Sequence, residues 1–174
     1  MDTEKILLLI LGAIVGFFAS IAKDYFSEKT KRKYKEIEIR REKAEELYLL
    51  LESWSNAFFS RNSMLILVMK NEITYNDYLD NFIEEGKKRN VNYKRIDMLI
   101  NLYFKSLLPH YLEILKQRDT IADIESIHKK EYKKGNINGQ KFIKLFNDET
   151  IKLHNLIDDF KKEVAIDINK LIKT

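Results

Sequence analysis

The chain has 174 residues, 45% of them hydrophobic and 33% charged, with 31 Lys and Arg against 27 Asp and Glu. That is one domain's worth of sequence with enough apolar material for a core, which excludes a disordered chain. Five Gly, one Pro and no Cys argue against many-turned β-sandwiches, collagen-like repeats, Gly-rich phosphate loops, disulfide frameworks, thiolate catalysis and Cys-based zinc sites.

The first feature along the chain is Ile6 to Ala22, 17 residues without a charge, bracketed by Lys5 and Lys23. As a helix the run spans about 26 Å, a little short of a ~30 Å hydrocarbon core. Snorkelling of Lys5 and Lys23 and slight thinning of the bilayer make up the difference. The run predicts a retained transmembrane anchor. A cleaved signal peptide fits less well: Ser20-Ile21-Ala22 has the small-x-small form of a cleavage site, but Met-Asp-Thr-Glu-Lys carries no net positive charge. A core helix with so long an uninterrupted apolar run would be unusual.

Orientation follows from the flanking bases. Lys5 stands alone on the N-terminal side, whereas Lys23, Lys29, Lys31, Arg32, Lys33 and Lys35 follow the run against Asp24 and Glu28. The basic side stays in the cytoplasm. The expected location is therefore the cell inner (plasma) membrane, with the N-terminus outside, the C-terminal part cytoplasmic and the six basic residues against lipid headgroups. Gly12, Gly16 and Ser20 fall at four-residue steps, a small-residue strip of the kind through which membrane helices pair. Self-association through that strip, and a homo-oligomer, are expected.

Residues 23–43 form a charged juxtamembrane segment without Pro or Gly, expected to continue as helix. Residues 44–174 form the expected cytosolic domain. Ala44, Leu47, Leu51, Trp54, Phe58, Leu65 and Met69 make one helical stripe, with Ser60 to Ser63 either breaking it or marking its polar face. Thr74 with Asp77 reads as an N-cap for a short helix stopped by Gly86. Asn90 or Asn92 caps the next stretch, whose apolar stripe runs through Ile96, Leu99, Ile100, Tyr103, Leu107, Tyr111, Leu115, Ile124 and Ile127. Pro109 should kink or split it near Leu108. After the Gly135 to Gly139 turn, Phe142, Phe146, Leu153, Leu156, Phe160, Val164, Ile168 and Leu171 form a last stripe. The expected fold is all-α: a single N-terminal transmembrane helix followed by a cytosolic helical bundle of about four helices.

Residues for chemistry are scarce. Glu125-x-x-His128 matches one half of a bundle di-iron motif, but no second copy occurs, and His110, His128 and His154 read as surface or helix-end histidines. No GxSxG, Walker loop, HExxH or dinucleotide fingerprint is present. The expectation is a protein without catalysis, metal or cofactor.

Two basic groups are candidate anion sites: Lys129, Lys130, Lys133, Lys134 and Lys141 around the Gly135 turn, and Lys87, Lys88, Arg89, Lys94 and Arg95. As solvated helix ends they need no ligand. Net charge is −1 over residues 1–22, +4 over 23–43 and +1 over 44–174, so the overall +4 reports on the membrane flank. No DNA or RNA duplex is expected as partner.

Two functions fit. One is a non-catalytic single-pass membrane protein whose cytosolic domain self-associates and binds a partner or ligand. The other is a ligand-gated membrane effector, its domain binding an anionic nucleotide second messenger and its oligomerised anchors perturbing the membrane. In layout, one short anchor plus a small cytosolic domain, the chain resembles small membrane effectors of bacterial phage-defence systems, including cyclic-nucleotide-gated ones. The resemblance is one of layout and assigns no residue.

Overall fold

The computed structural model describes residues 3–88 and 92–173, except the side chains of 4–11, 13–15, 88 and 171–173. Among the described residues the chain is all-α, five helices and no strand. These are α1 (Thr3–Met69), α2 (Tyr75–Lys88), α3 (Tyr93–Tyr103), α4 (Leu108–Lys133) and α5 (Gln140–Lys173), with a 3-10 turn at Lys105–Leu107. The chain divides into two compact units, Met1–Arg41 and Glu42–Thr174.

The first unit is helical throughout its described length, as expected of a stretch lacking Pro. Phe17, Phe18, Tyr25 and Phe26 are each 65% exposed. Phe17 and Phe18 meet only edge-on, at 6.1 Å between ring centres. Among the described residues no helix is long and apolar enough to cross a membrane. The expected anchor falls largely outside them, since nine of its seventeen residues, 6–11 and 13–15, have undescribed side chains.

The second unit is a helical bundle around one core. Ala44, Leu47, Leu51, Trp54, Leu65 and Met69 of α1 are buried, and Phe58 is partly buried against them. Phe104, Phe146 and Phe160 are the largest fully buried side chains. Burying each is worth about 1.5–3 kcal/mol, so these three anchor the packing. α4 and α5 form an αα-hairpin packed along its length.

Local chemistry sets the boundaries. α1 ends in a Schellman turn with Asn71 in the left-handed region (φ 62°): Glu72 N–H donates to Leu67 O and Asn71 N–H to Val68 O, both at 2.9 Å. The capping box of α2 is complete. Asp77 N–H donates to Thr74 Oγ1 at 3.1 Å, and Thr74 N–H returns a bond to Asp77 Oδ2 at 2.9 Å. Asn92 caps α3 by accepting from Arg95 N–H at 3.1 Å. The split around Pro109 comes slightly before the proline: the chain leaves the helix at Phe104, makes the 3-10 turn, and restarts with Pro109 in the first turn of α4. There the missing N–H is no loss. α4 closes with Gly135 at φ 91°, Asn136 N–H bonding Glu131 O at 3.1 Å and Gly135 N–H bonding Tyr132 O at 3.0 Å.

Two local expectations change and one open alternative is decided. Gly86 does not stop α2, which runs on to Lys88. Of the two readings of Ser60 to Ser63, the break does not occur: α1 runs through them with Ser60 and Ser63 exposed, while Asn62 turns inward, 2% exposed, and donates to Thr150 Oγ1 at 3.4 Å. Ile127 is 52% exposed, while Ile114 and Ile121 hold the core position of that helix.

Candidate functional site

The polar residues that interrupt the α1 stripe build the most developed site. Arg61 Nε donates to Tyr78 Oη at 2.8 Å, and Arg61 Nη2 bonds the Glu125 carboxylate. Tyr78 Oη donates to Glu125 Oε1 at 3.4 Å, and the guanidinium lies 5.5 Å from the centre of the Phe82 ring. One cation thus ties α1 to α2 and α4. Burial disfavours the charge on Arg61, but the Tyr78 bond and the Glu125 carboxylate outweigh it and its pKa is raised. Burial likewise raises the Tyr78 hydroxyl, with the Arg61 bond acting against it.

Beside this guanidinium lies a cavity of about 250 Å³. Met64 and Arg61 of α1, Tyr78, Asn81 and Phe82 of α2 and Tyr93 of α3 line it. Gly86 also faces it, and a Cβ there would meet nothing within 4 Å. The wall is mostly aromatic and aliphatic with a few directed polar groups, the usual make-up of a small-molecule pocket.

A second feature corrects the sequence reading of His128 as a surface or helix-end histidine. His128 is fully buried among Phe142 (5.6 Å between ring centres), Tyr132 (6.1 Å) and Tyr75 (6.4 Å). Among the described residues neither ring nitrogen has a hydrogen-bond partner, nor does the Tyr75 hydroxyl. Burial lowers the His128 pKa and raises that of Tyr75. Gly139 caps the cage. A Cβ there would sit 2.6 Å from His128 Nε2 and 2.9 Å from Met69 Cα, and Gly139 N–H donates to Met69 O at 2.9 Å. Only glycine fits so close an approach. Glu125 and His128 do not bond one another, since the carboxylate is taken by Arg61 and Tyr78.

The basic groups are distributed over the surface. Lys129 Nζ lies 5.8 Å from the centre of the Tyr75 ring and Lys141 Nζ 5.0 Å from that of Phe142. Lys134 pairs with Glu131 at 3.3 Å, and Lys130 and Lys133 are exposed. At the start of α5, Gln140 N–H is already accepted by Asn138 Oδ1 at 2.9 Å. Lys87 and Lys94 are exposed, while Arg95 is bound in a fork to Glu46. That bond lowers the Glu46 carboxyl to a pKa of about 2. Arg89 and the side chain of Lys88 lie outside the described residues. Gly12, Gly16 and Ser20 follow one another at four-residue steps on α1, with nothing within 4 Å of a Cβ placed on either glycine. Lys23, Lys29, Lys31, Arg32, Lys33 and Lys35 are all exposed on the same helix.

Sequence reasoning passed over Arg61, Tyr78, Asn81 and Phe82. A signal for two of them existed: Tyr78, Phe82 and Gly86 recur at four-residue spacing, one helix face ending in a residue without a side chain. Comparison of the chain with protein families, with curated proteins and with solved structures gives no match.

Proposed function

We propose that the chain is a non-catalytic, membrane-tethered protein whose helical domain self-associates and binds a partner or ligand. The observation that carries the reading is the uncharged run from Ile6 to Ala22 followed at once by a net charge of +4 over residues 23–43. In this reading the run lies in the bilayer, the basic flank holds to headgroups on the cytoplasmic side, and the short N-terminus is outside. The exposure of Phe17 and Phe18 supports it, because apolar side chains left in water gain from transfer to lipid. Gly12, Gly16 and Ser20 offer the strip for helix pairing. The domain beyond is close to neutral and carries no recognised catalytic motif, which suits binding better than catalysis.

The test is membrane partition of the whole chain. Expressed in bacteria, it should remain in the membrane pellet after an alkaline carbonate wash. With Leu9 and Val15 both changed to Arg it should leave the pellet, each charge adding about 2.5–3.5 kcal/mol to the insertion free energy. A wild-type chain recovered in the supernatant would remove the anchor from this reading.

A further inference from the structure

We propose that the cavity beside Arg61 is a binding site for a planar, uncharged heteroaromatic molecule of one or two rings. This rests on the ligand-binding part of the function proposed above and is independent of the membrane anchor.

Size comes first. At about 250 Å³ the space equals roughly eight waters at ~30 Å³ each, too small for a peptide helix and suited to a bicyclic ring. The walls come second. Tyr78, Phe82 and Tyr93 bring three aromatic side chains to it, with Phe82 49% and Tyr93 54% exposed. Such rings favour a flat, apolar-faced guest. The polar groups define the guest's edge. Arg61 uses Nε and Nη2 on Tyr78 and Glu125, leaving Nη1 to donate. Asn81 Nδ2 is held by Asp77 O at 2.7 Å, which leaves its Oδ1 to accept. Ser60 and Glu85 line the cavity too, each already engaged in an interaction of its own, while the Arg61 donor and the Asn81 acceptor match a ring bearing both a C=O and an N–H. Glu125 already neutralises Arg61, so a full anion gains little there.

Gly86 is the independent argument. It lies inside α2 on the face that carries Tyr78 and Phe82, and its backbone is not in the left-handed region. Glycine weakens a helix relative to alanine, and no neighbouring atom within 4 Å demands it here. What its missing side chain provides is room in the cavity.

The experiment uses the full chain in lipid nanodiscs, or in plain buffer if it stays in solution, with 2-quinolinone as probe and empty nanodiscs as the blank. Saturable one-to-one binding is expected, with a Kd of about 1 mM or tighter. Gly86→Leu should weaken it at least ~10-fold by filling the space while favouring the helix. Asn81→Leu should weaken it by a similar factor through loss of the acceptor. Naphthalene, lacking the polar edge, and quinoline-2-carboxylate, carrying a full charge, should both bind at least ~10-fold less well than 2-quinolinone. No saturation up to the solubility limit, undiminished affinity in Gly86→Leu, or naphthalene binding as well as 2-quinolinone would each overturn the proposal. Circular dichroism of each variant checks that it is folded, and only folded variants are compared. The binding result stands whichever way the chain partitions, so failure of the anchor and failure of the site are separable.

Discussion

Lowering the pH from 7 towards 5 should destabilise the helical domain through His128, and the sign and ceiling follow from its surroundings. The imidazole is fully buried against Tyr75, Tyr132 and Phe142 without a partner at either nitrogen, and Lys129 lies over the neighbouring Tyr75 ring. Burial disfavours the imidazolium, and among the described residues no acceptor offsets it, so the folded pKa lies below the unfolded one. The unfolded chain begins to take up the proton near pH 6.5 while the folded chain does not. The contribution of neutral His128 is therefore complete above that pH and is lost as the pH falls towards the folded pKa. If the folded ring stays neutral, the loss reaches at most about 1.4 kcal/mol at pH 5.5 and about 2 kcal/mol at pH 5. At roughly 2–4 °C per kcal/mol, the first figure is about 3–6 °C in Tm. The assay is thermal unfolding by circular dichroism in one fixed detergent from pH 7.5 to 5.0, comparing wild type with His128→Leu. The leucine variant keeps an apolar group in the cage, while His110, His154 and the carboxylates are common to both chains. Its Tm should fall less with acid than that of wild type. Parallel profiles would refute the reasoning.

Gly139→Ala should destabilise by about 1–3 kcal/mol, since the new methyl meets the His128 ring and the Met69 backbone together, and urea unfolding measures it. Arg61→Met should cost about 2–4 kcal/mol by leaving Glu125, only 17% exposed, without its cation. Adding Glu125→Leu to Arg61→Met should recover part of that loss, and a double variant no more stable than the single one would contradict the pairing. Gly12→Ile combined with Gly16→Ile should shift the full-length chain to smaller species in light scattering, and an unchanged mass would take the small-residue strip out of any assembly.

Most of the helical architecture is legible in the sequence because it rests on local rules. The stripe from Ala44 to Met69 buries six of its seven members, and the Thr74–Asp77 pair closes the capping box it predicts. The break before Pro109 and the left-handed Gly135 follow from what proline and glycine do to a backbone. The polar interior was harder to see. Arg61 and Asn62 look like solvent-facing interruptions until Tyr78, Glu125 and Thr150 arrive from three other helices, and those partners lie 17 to 88 residues away. His128 had a signal: Ile121, Ile124, His128 and Tyr132 step by three and four, so the core face of α4 runs through the histidine. Its polar ring argued for the surface, and the aromatic cage with Gly139 overrode that. The cavity beside Arg61 depends on where α2 lies against α1, which no periodicity in either segment specifies.

The most direct test of the membrane reading uses the absence of cysteine from the chain. Ile14→Cys places one thiol at the middle of the apolar run, and labelling it with NBD gives a single reporter of depth. Reconstituted in vesicles, the reporter should be shielded from aqueous iodide and quenched by nitroxide-labelled acyl chains. Quenching by iodide as strong as for a label at Thr174→Cys, with no effect of the labelled lipids, would place residue 14 in water and contradict the account.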